Sequence, residues 1–155
     1  DKLIPTIIIN ALNLKTIPIY GNGLNVRDWL FVEDHINALL LMASKSEPGS
    51  RYCIGGGQEK SNLNICKKIC NLLDALKPQR FSYSNLIEFV DDRPGHDFRY
   101  GIDSSLISKE LGWHPLFEFD QAIKETIIWY ICNQNWVNFV KQESGYKGDR
   151  LGILK

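Results

Sequence analysis

The 155-residue sequence lacks the features of several large protein classes. No apolar run approaches the roughly 20 residues of a membrane span. The longest, ALLLMA at residues 38–43, is short, and nothing at the start has the pattern of a signal peptide. Neither sign of charge dominates, because 18 Lys and Arg residues balance 18 Asp and Glu residues, so no global field attracts nucleic acid or an anionic membrane. We therefore expect a cytoplasmic protein that binds neither, in which any anion site is local.

Motifs for metal binding and nucleophilic catalysis are also absent. The 3 histidines are far apart in the sequence, and no Ser, His and Asp combination indicates a catalytic triad. Cys66 and Cys70 are four residues apart on a predicted helix. A metal site would need two more ligands nearby, and none is evident. We therefore predict no metal site and favour small buried side chains in a reducing compartment.

One glycine-rich segment, GGGQEK at residues 55–60, follows a predicted strand. Its spacing differs from that of the G-x-G-x-x-G turn that binds dinucleotides, and no acidic residue follows at the required distance. We interpret it as a turn at the end of a strand. Because there is no internal repeat or low-complexity tract, we expect a single domain or one part of a larger one.

The pattern of apolar residues predicts an α/β protein with α+β character. Val26 to Val32, rich in β-branched and aromatic residues, is typical of a strand, and the apolar positions Ile36, Leu39 and Leu40 have helical spacing. Strands are predicted at residues 17–20, 26–32, 51–54 and 87–90. Helices are predicted at residues 6–13, 33–45, 63–76, 103–111 and 119–140, followed by a frayed tail after residue 144.

The segment DDRPGHDFRYGID, residues 91–103, concentrates charge in a loop that Pro94 stiffens. A guanidinium group offers a planar fork of donors and remains charged, so Arg93 and Arg27, each held by rigid structure, could clamp a diphosphate. Gly95 permits close approach of the backbone, and His96 can donate to a phosphate or sugar oxygen. Two acids of the loop, at positions 92 and 97, could orient these cations. The alternative is a surface loop with solvated ion pairs.

Other conspicuous side chains have simpler interpretations. Arg99 is expected to form a structural ion pair with Asp103 or another acid. Tyr20 could stack on a base, although packing is the commoner role of such a residue. Trp29 and Trp113 are predicted to lie in the core.

The order of several sequence blocks resembles one family. KLIP, PIYGNG, RDWLFVEDH, YCIGGG, DDRPGHDFRYGID and KELGWHP follow one another through nearly the whole chain. This order resembles the C-terminal half of dTDP-glucose 4,6-dehydratases, which are extended short-chain dehydrogenases/reductases. The resemblance implies that residues 1–155 are the substrate-binding C-terminal region, with a few elements of the Rossmann sheet. It also implies that the NAD-binding Rossmann core is absent from this chain.

The resemblance further implies the residues that contact the nucleotide-sugar substrate, dTDP-glucose. Arg27 lies near its diphosphate, and Pro18, Ile19 and Tyr20 lie around its base. The remaining implied contacts are Lys2, Leu3, Ile4, Pro5, Thr6, Ile7, Asp92, Arg93, Pro94, Gly95 and His96. Cys53 stands where the family usually has an asparagine, and a thiol cannot replace the paired donor and acceptor of an amide.

The catalytic elements of that family do not occur in these residues. The G-x-x-G-x-x-G turn and the Y-x-x-x-K pair are missing, so no catalytic residue is assigned, and we expect the chain alone to be inactive. Because the chain opens with Asp1 directly in a helical pattern, we expect a piece of a longer, homodimeric, NAD-dependent enzyme. The alternatives are a non-catalytic nucleotide-sugar binding module, or part of a related nucleotide-sugar epimerase or decarboxylase.

Overall fold

A computed structural model of the protein describes residues 2–145. The elements are α1 (Leu3–Leu12), β1 (Ile17–Tyr20), β2 (Val26–Asp28), α2 (Val32–Lys45), β3 (Glu59–Ser61), α3 (Asn62–Leu76), a 3-10 turn (Tyr83–Leu86), β4 (Ile87–Val90), α4 (Ser105–Leu111), α5 (Phe119–Cys132) and α6 (Gln134–Glu143). This mixture of helices and short strands confirms the predicted α/β class with α+β character.

The strands form two small pairs. β1 and β4 are parallel, with Ile17 opposite Ile87 and Tyr20 opposite Val90. β2 and β3 are antiparallel. The β1–β4 pair requires a long crossover, since parallel neighbours cannot be joined by a tight turn. That crossover contains α2 and α3, and it returns the chain so that β1 and β4 end side by side.

The larger hydrophobic core lies between α1, β1, α3 and α5. Ile7 and Ile8 of α1, Ile17 of β1 and Ile127 of α5 are all completely buried. Cys66 and Cys70 belong to the same core and are free thiols, which confirms the prediction of small buried side chains. The two strands that lead into the predicted ligand loops therefore rest on well-packed helices.

A second, smaller cluster joins α2 and α4. It contains Ala38, Ile107 and Trp113, so the prediction that Trp113 is a core residue is confirmed. Asp34 in the first turn of α2 is 1% exposed, and its carboxylate accepts hydrogen bonds from the backbone N–H of Leu116 at 2.8 Å and of Phe117 at 3.4 Å. This carboxylate ties α2 to the segment that leads into α5.

The predicted strand at residues 51–54 is wrong for the residues described. These residues form no ladder, whereas Glu59–Ser61, which were not predicted as a strand, pair with β2. The side chains of Tyr52 and Ile54 instead pack on the smaller cluster. Residues 51–54 thus alternate between exposed and half-buried positions, and no strand among residues 2–145 pairs with them.

Several predicted boundaries also differ from the structure. β1 and β4 have the predicted bounds, but β2 ends at Asp28 and α1 begins three residues before the predicted Thr6. The long helix predicted from residue 119 to 140 is interrupted at Asn133, whose side-chain amide and backbone N–H both donate to the carbonyl of Trp129. An asparagine that binds the backbone in this way competes with helix continuation. The predicted frayed tail lies almost wholly outside the described residues.

Residues 2–145 contain no helix long and apolar enough to cross a bilayer. Within the same range there is also no group of three or more His, Cys, Asp or Glu side chains that could hold a metal ion.

Candidate functional site

Tyr20 and the loop after β4 lie together because the strands that precede them are neighbours. Tyr20 is opposite Val90, and the backbone N–H of Gly21 donates to the carbonyl of Val90 at 2.8 Å. A Cβ atom built on Gly21 would lie 3.1 Å from a carboxylate oxygen of Asp92. Ligands of α/β proteins commonly bind beyond the carboxyl ends of parallel strands. The predicted base-side residue and the predicted phosphate loop are therefore adjacent.

The loop turns sharply at Pro94 and Gly95. Gly95 has φ +67°, in the left-handed region that favours glycine, and it follows a proline whose ring fixes its own φ. This pair has the sequence and the φ sign of a type II turn. Before the turn, the carboxylate of Asp92 accepts the backbone N–H of Arg93 at 2.8 Å. The loop is thus held by its own local contacts, as the sequence predicted.

His96 is the most enclosed side chain of the loop, with 6% of its side chain exposed. Its Nδ1 lies 2.6 Å from Oδ1 of Asp92, and its ring meets the ring of Tyr20 edge-on, with centroids 6.5 Å apart. An ionised carboxylate can only accept, so Nδ1 carries the proton in this contact. Nε2 is then an acceptor in the neutral ring, and it donates to an anion only when the ring is protonated.

Arg27 reaches the same loop through backbone pairing. On the side of β2 away from β3, the N–H of Val26 donates to the carbonyl of Phe98 at 2.7 Å, and the N–H of Tyr100 donates to the carbonyl of Val26 at 3.0 Å. The guanidinium of Arg27 donates to the carbonyl of Asp97 at 2.9 Å. The polypeptide after the Pro-Gly turn therefore runs beside β2.

Tyr100 brings the two predicted arginines into one electrostatic environment. The guanidinium carbon of Arg27 lies 4.5 Å from the centroid of the Tyr100 ring, and the Tyr100 hydroxyl donates to the carboxylate of Asp97. This hydrogen bond, with some desolvation and the negative charge of Asp97, raises the pKa of Tyr100. The positive charges of Arg27 and Arg93 oppose that rise. Tyr100 therefore links Arg27 on β2 with Asp97 in the loop that also holds Arg93.

The other predicted contacts have more varied settings. Ile7 and Ile19 are 0% and 1% exposed and lie in the larger core, whereas Pro18 is half-buried. Cys53 is exposed. Lys2 is exposed at the start of α1, and the next four predicted contacts are half-buried along its first turns, namely Leu3, Ile4, Pro5 and Thr6.

Ile4 belongs to a second feature. With Trp29, Phe31 and Phe117 it lines a cavity of about 60 Å³ between α1, α5 and the segment after β2. Sites for small ligands usually have a volume of about 300–1,000 Å³, so this cavity is too small for a sugar nucleotide.

Two residues that sequence reasoning did not assign help to build the site. Tyr100 forms the contacts with Arg27 and Asp97 described above. Asn25 is 6% exposed, and its side-chain amide donates to the carbonyl of Asp97 at 3.2 Å. In the sequence, the only local pattern that could have indicated these roles is the i, i+3 spacing of Asp97 and Tyr100.

Arg99 was expected to pair with Asp103 or another acid. It forms a two-pronged ion pair with Glu59, with N–O distances of 2.5 and 2.6 Å.

The glycines of the GGGQEK segment do not form a cradle for a dinucleotide. A Cβ at Gly56 would lie 2.2 Å from the carbonyl oxygen of Trp29, and a Cβ at Gly55 would lie 2.5 Å from a carboxylate oxygen of Asp28. These glycines permit two stretches of chain to touch, so protein occupies the space that phosphate would need. Gly55 and Gly56 therefore do not fit the phosphates of NAD.

Comparison with known proteins shows the family of the chain. The profile of the family described as GDP-mannose 4,6 dehydratase matches residues 1–126. The chain belongs to this family.

The relatives that this chain resembles include dTDP-glucose 4,6-dehydratases. That of Salmonella typhimurium is 48% identical, over 96% of this chain and 43% of its own length. The solved structure from Bacillus anthracis, in complex with NAD, is 42% identical with a TM-score of 0.76, covering 87% of this chain and 40% of that one. The structure from Streptomyces venezuelae with NAD and TDP bound is 37% identical with a TM-score of 0.77, over the same shares. The chain thus spans less than half the length of these relatives.

Proposed function

We propose that residues 1–155 form the region that binds the nucleotide-sugar in a dTDP-glucose 4,6-dehydratase. The whole protein would convert dTDP-glucose to dTDP-4-keto-6-deoxyglucose and water with NAD, a hydro-lyase reaction that supplies deoxysugar synthesis. The observation that carries the proposal is the contact of Arg27 with the loop that holds Arg93: the Arg27 guanidinium donates to the carbonyl of Asp97 at 2.9 Å and lies over the Tyr100 ring.

The charge pattern suits a diphosphate. Arg27 is held on β2 and Arg93 is held in the loop after β4, so a ligand between them would be bound from two directions. Charge-assisted hydrogen bonds from guanidinium to phosphate are among the stronger polar contacts in proteins. With formal net charge 0, the chain has no general attraction for anions, so such binding would depend on these local groups.

The base and sugar would lie beside the apolar end of the same cluster. Tyr20 offers an aromatic ring at the end of β1, next to the enclosed His96. Pro18 is on the same face of β1 as Tyr20, because alternate residues of a strand face the same way. Cys53 is exposed and carries no amide, so it would contribute less to nucleotide affinity than the asparagine usual in the family.

The surface of α2 indicates where the rest of the enzyme would pack. Val32, Ile36, Leu39 and Leu40 are between 47% and 64% exposed on this one helix, and such contiguous apolar surface usually marks an interface. Residues 51–54 also have no strand partner among the residues described. We propose that a Rossmann domain supplied by the remainder of the enzyme covers α2, pairs with residues 51–54 and binds NAD. The same domain would form the homodimer of a cytoplasmic enzyme.

A binding titration tests the part of the proposal that concerns this chain. Isothermal titration with dTDP should show saturable binding, and Arg27→Ala or Arg93→Ala should weaken it by about tenfold or more, since a hydrogen bond to a charged group contributes about 1.5–3 kcal/mol. Arg80→Ala is the matched control, because Arg80 is exposed and distant in sequence from the cluster. Circular dichroism should show every variant folded.

Two results would contradict the proposal. Folded wild-type chain that does not bind dTDP at millimolar concentration would remove the function. Equal affinity for UDP and dTDP would leave a nucleotide-sugar site but remove the assignment to dTDP-glucose.

A further inference from the structure

Two backbone carbonyl groups hold the guanidinium of Arg27 in place. One terminal nitrogen donates to the carbonyl of Val26 at 2.7 Å, and the other donates to the carbonyl of Asp97 at 2.9 Å. A guanidinium has five N–H donors, so three remain for a ligand. The two carbonyls fix the position of the fork, but they leave the tilt of its plane to be set by another contact.

The Tyr100 ring supplies that contact. The guanidinium carbon of Arg27 lies over this ring, 4.5 Å from its centroid, which is within the range of a cation–π interaction. The ring covers one face of the guanidinium, and the three free N–H donors lie in the plane of the group, so a ligand must approach within that plane.

Tyr100 is itself held at both ends. Its backbone N–H donates to the carbonyl of Val26 at 3.0 Å, the same oxygen that accepts from Arg27. Its hydroxyl donates to the carboxylate of Asp97, the residue whose backbone carbonyl accepts from Arg27. Arg27, Val26, Tyr100 and Asp97 thus form a closed ring of contacts between β2 and the loop after β4.

We propose that Tyr100 is a positioning residue that orients the guanidinium of Arg27 for a nucleoside diphosphate. This inference rests on the proposed function and adds to it a residue that would not touch the ligand. The physical reason is preorganisation, because a side chain already ordered before binding loses less conformational freedom when the ligand arrives.

The two functions of Tyr100 can be separated by substitution. Tyr100→Phe keeps the ring and loses the bond to Asp97, whereas Tyr100→Leu loses both. We expect Tyr100→Leu to weaken dTDP binding about fivefold, from the strength of an exposed cation–π contact. Tyr100→Phe should recover a large part of that loss. Tyr52→Leu is the matched control, since the Tyr52 hydroxyl also binds a carboxylate, that of Glu110 at 2.7 Å, with no arginine stacked on its ring.

A double-mutant cycle decides between positioning and a general structural effect. In an Arg27→Ala background, Tyr100→Leu should cause no further loss of dTDP affinity, and thymidine, which lacks phosphate, should bind every variant equally. Additive losses in the cycle, or equal losses for thymidine and dTDP, would overturn the inference.

A readout without ligand separates this inference from the proposed function. The Nε–H resonance of Arg27 in a ¹⁵N-edited NMR spectrum should be shifted by the ring current of Tyr100, and it should move in Tyr100→Leu but not in Tyr52→Leu. An unshifted resonance would refute the stacked geometry. A shifted resonance in a folded chain that does not bind dTDP would refute the proposed function, and with it the role of Tyr100 in binding.

Discussion

Replacing Asp34 by alanine should destabilise the fold far more than replacing a surface acid. Asp34 is 1% exposed, and its two oxygens accept backbone N–H groups of Leu116 at 2.8 Å and Phe117 at 3.4 Å. Hydrogen bonds to charged groups contribute about 1.5–3 kcal/mol each, and a donor left buried without a partner adds to the loss. The longer bond is weaker, and alanine also removes the cost of burying a carboxylate. We expect a net loss of about 3 kcal/mol.

Two companion variants make this magnitude testable. Asp34→Asn keeps one acceptor oxygen and should lose about half as much free energy of unfolding. Asp120→Ala removes an ion pair with Lys68, whose N–O distance is only 2.6 Å, but the Asp120 side chain is 72% exposed. Exposed pairs contribute about 0–1 kcal/mol, so this variant should be nearly as stable as the wild type.

Urea denaturation followed by circular dichroism and tryptophan fluorescence measures all three free energies of unfolding. In a thermal scan, about 3 kcal/mol corresponds to a fall in Tm of about 9 °C for a chain of this size. If Asp34→Ala and Asp120→Ala lost equal stability, the burial of Asp34 and its hydrogen bonds to backbone N–H groups would not stabilise the fold as we argue. The link between α2 and the segment before α5 would then have to come from the apolar cluster alone.

Three further outcomes are expected from the described contacts. Gly56→Ala should lower the free energy of unfolding by about 3 kcal/mol, because the new Cβ would lie 2.2 Å from the carbonyl oxygen of Trp29 and the backbone would have to move. An unchanged midpoint in urea denaturation would contradict that contact. In an absorbance titration, Tyr100→Phe should remove a phenol that ionises above its ordinary pKa of 10.0, because Asp97 raises that pKa. The hydrogen bond from the Tyr100 hydroxyl to Asp97 stabilises the fold fully below the pKa of the unfolded phenol, and this stabilisation is lost as pH rises through the folded pKa. A Tyr100 phenol that ionised at its ordinary pKa would refute this hydrogen bond. Leu40→Lys, at a position 64% exposed, should reduce self-association in analytical ultracentrifugation and leave dTDP affinity unchanged.

The sequence correctly predicted strands that are short apolar runs ending at turn or loop residues. β1 and β4 were predicted with their correct bounds, because short apolar runs end at Gly21 in one case and at the charged loop in the other. β3 was missed, since Glu59–Ser61 is entirely polar and becomes a strand only through pairing with Val26–Asp28, more than thirty residues away. The interruption at Asn133 was missed for a different reason, because a single side chain competing for the Trp129 carbonyl leaves the apolar periodicity intact.

In the candidate site too, features that depend on contacts between distant residues were not predicted from the sequence. Arg27 and Arg93 were predicted because guanidinium groups suit phosphate, and the structure places Arg27 in contact with the loop that holds Arg93. Tyr100 itself was not selected, since its stacking on Arg27 joins residues 73 positions apart and leaves no local pattern. Side chains that carry charge can be predicted from their type, whereas the side chains that orient them are evident only after the fold has joined distant segments.

Ligand binding and exposed apolar surface belong to different parts of this structure. β1 rests on the larger core through Ile17 and Ile19, and its partner β4 carries the loop of the site. The exposed stripe of α2 lies instead on the helix that packs on the smaller cluster through Ala38, Leu41 and Met42. Substitutions on that stripe should therefore alter association without altering the arginines, and substitutions around Arg27 should alter binding without altering association. If Leu40→Lys changed dTDP affinity, the two parts would be coupled, and the site would depend on the surface that we assign to the remainder of the enzyme.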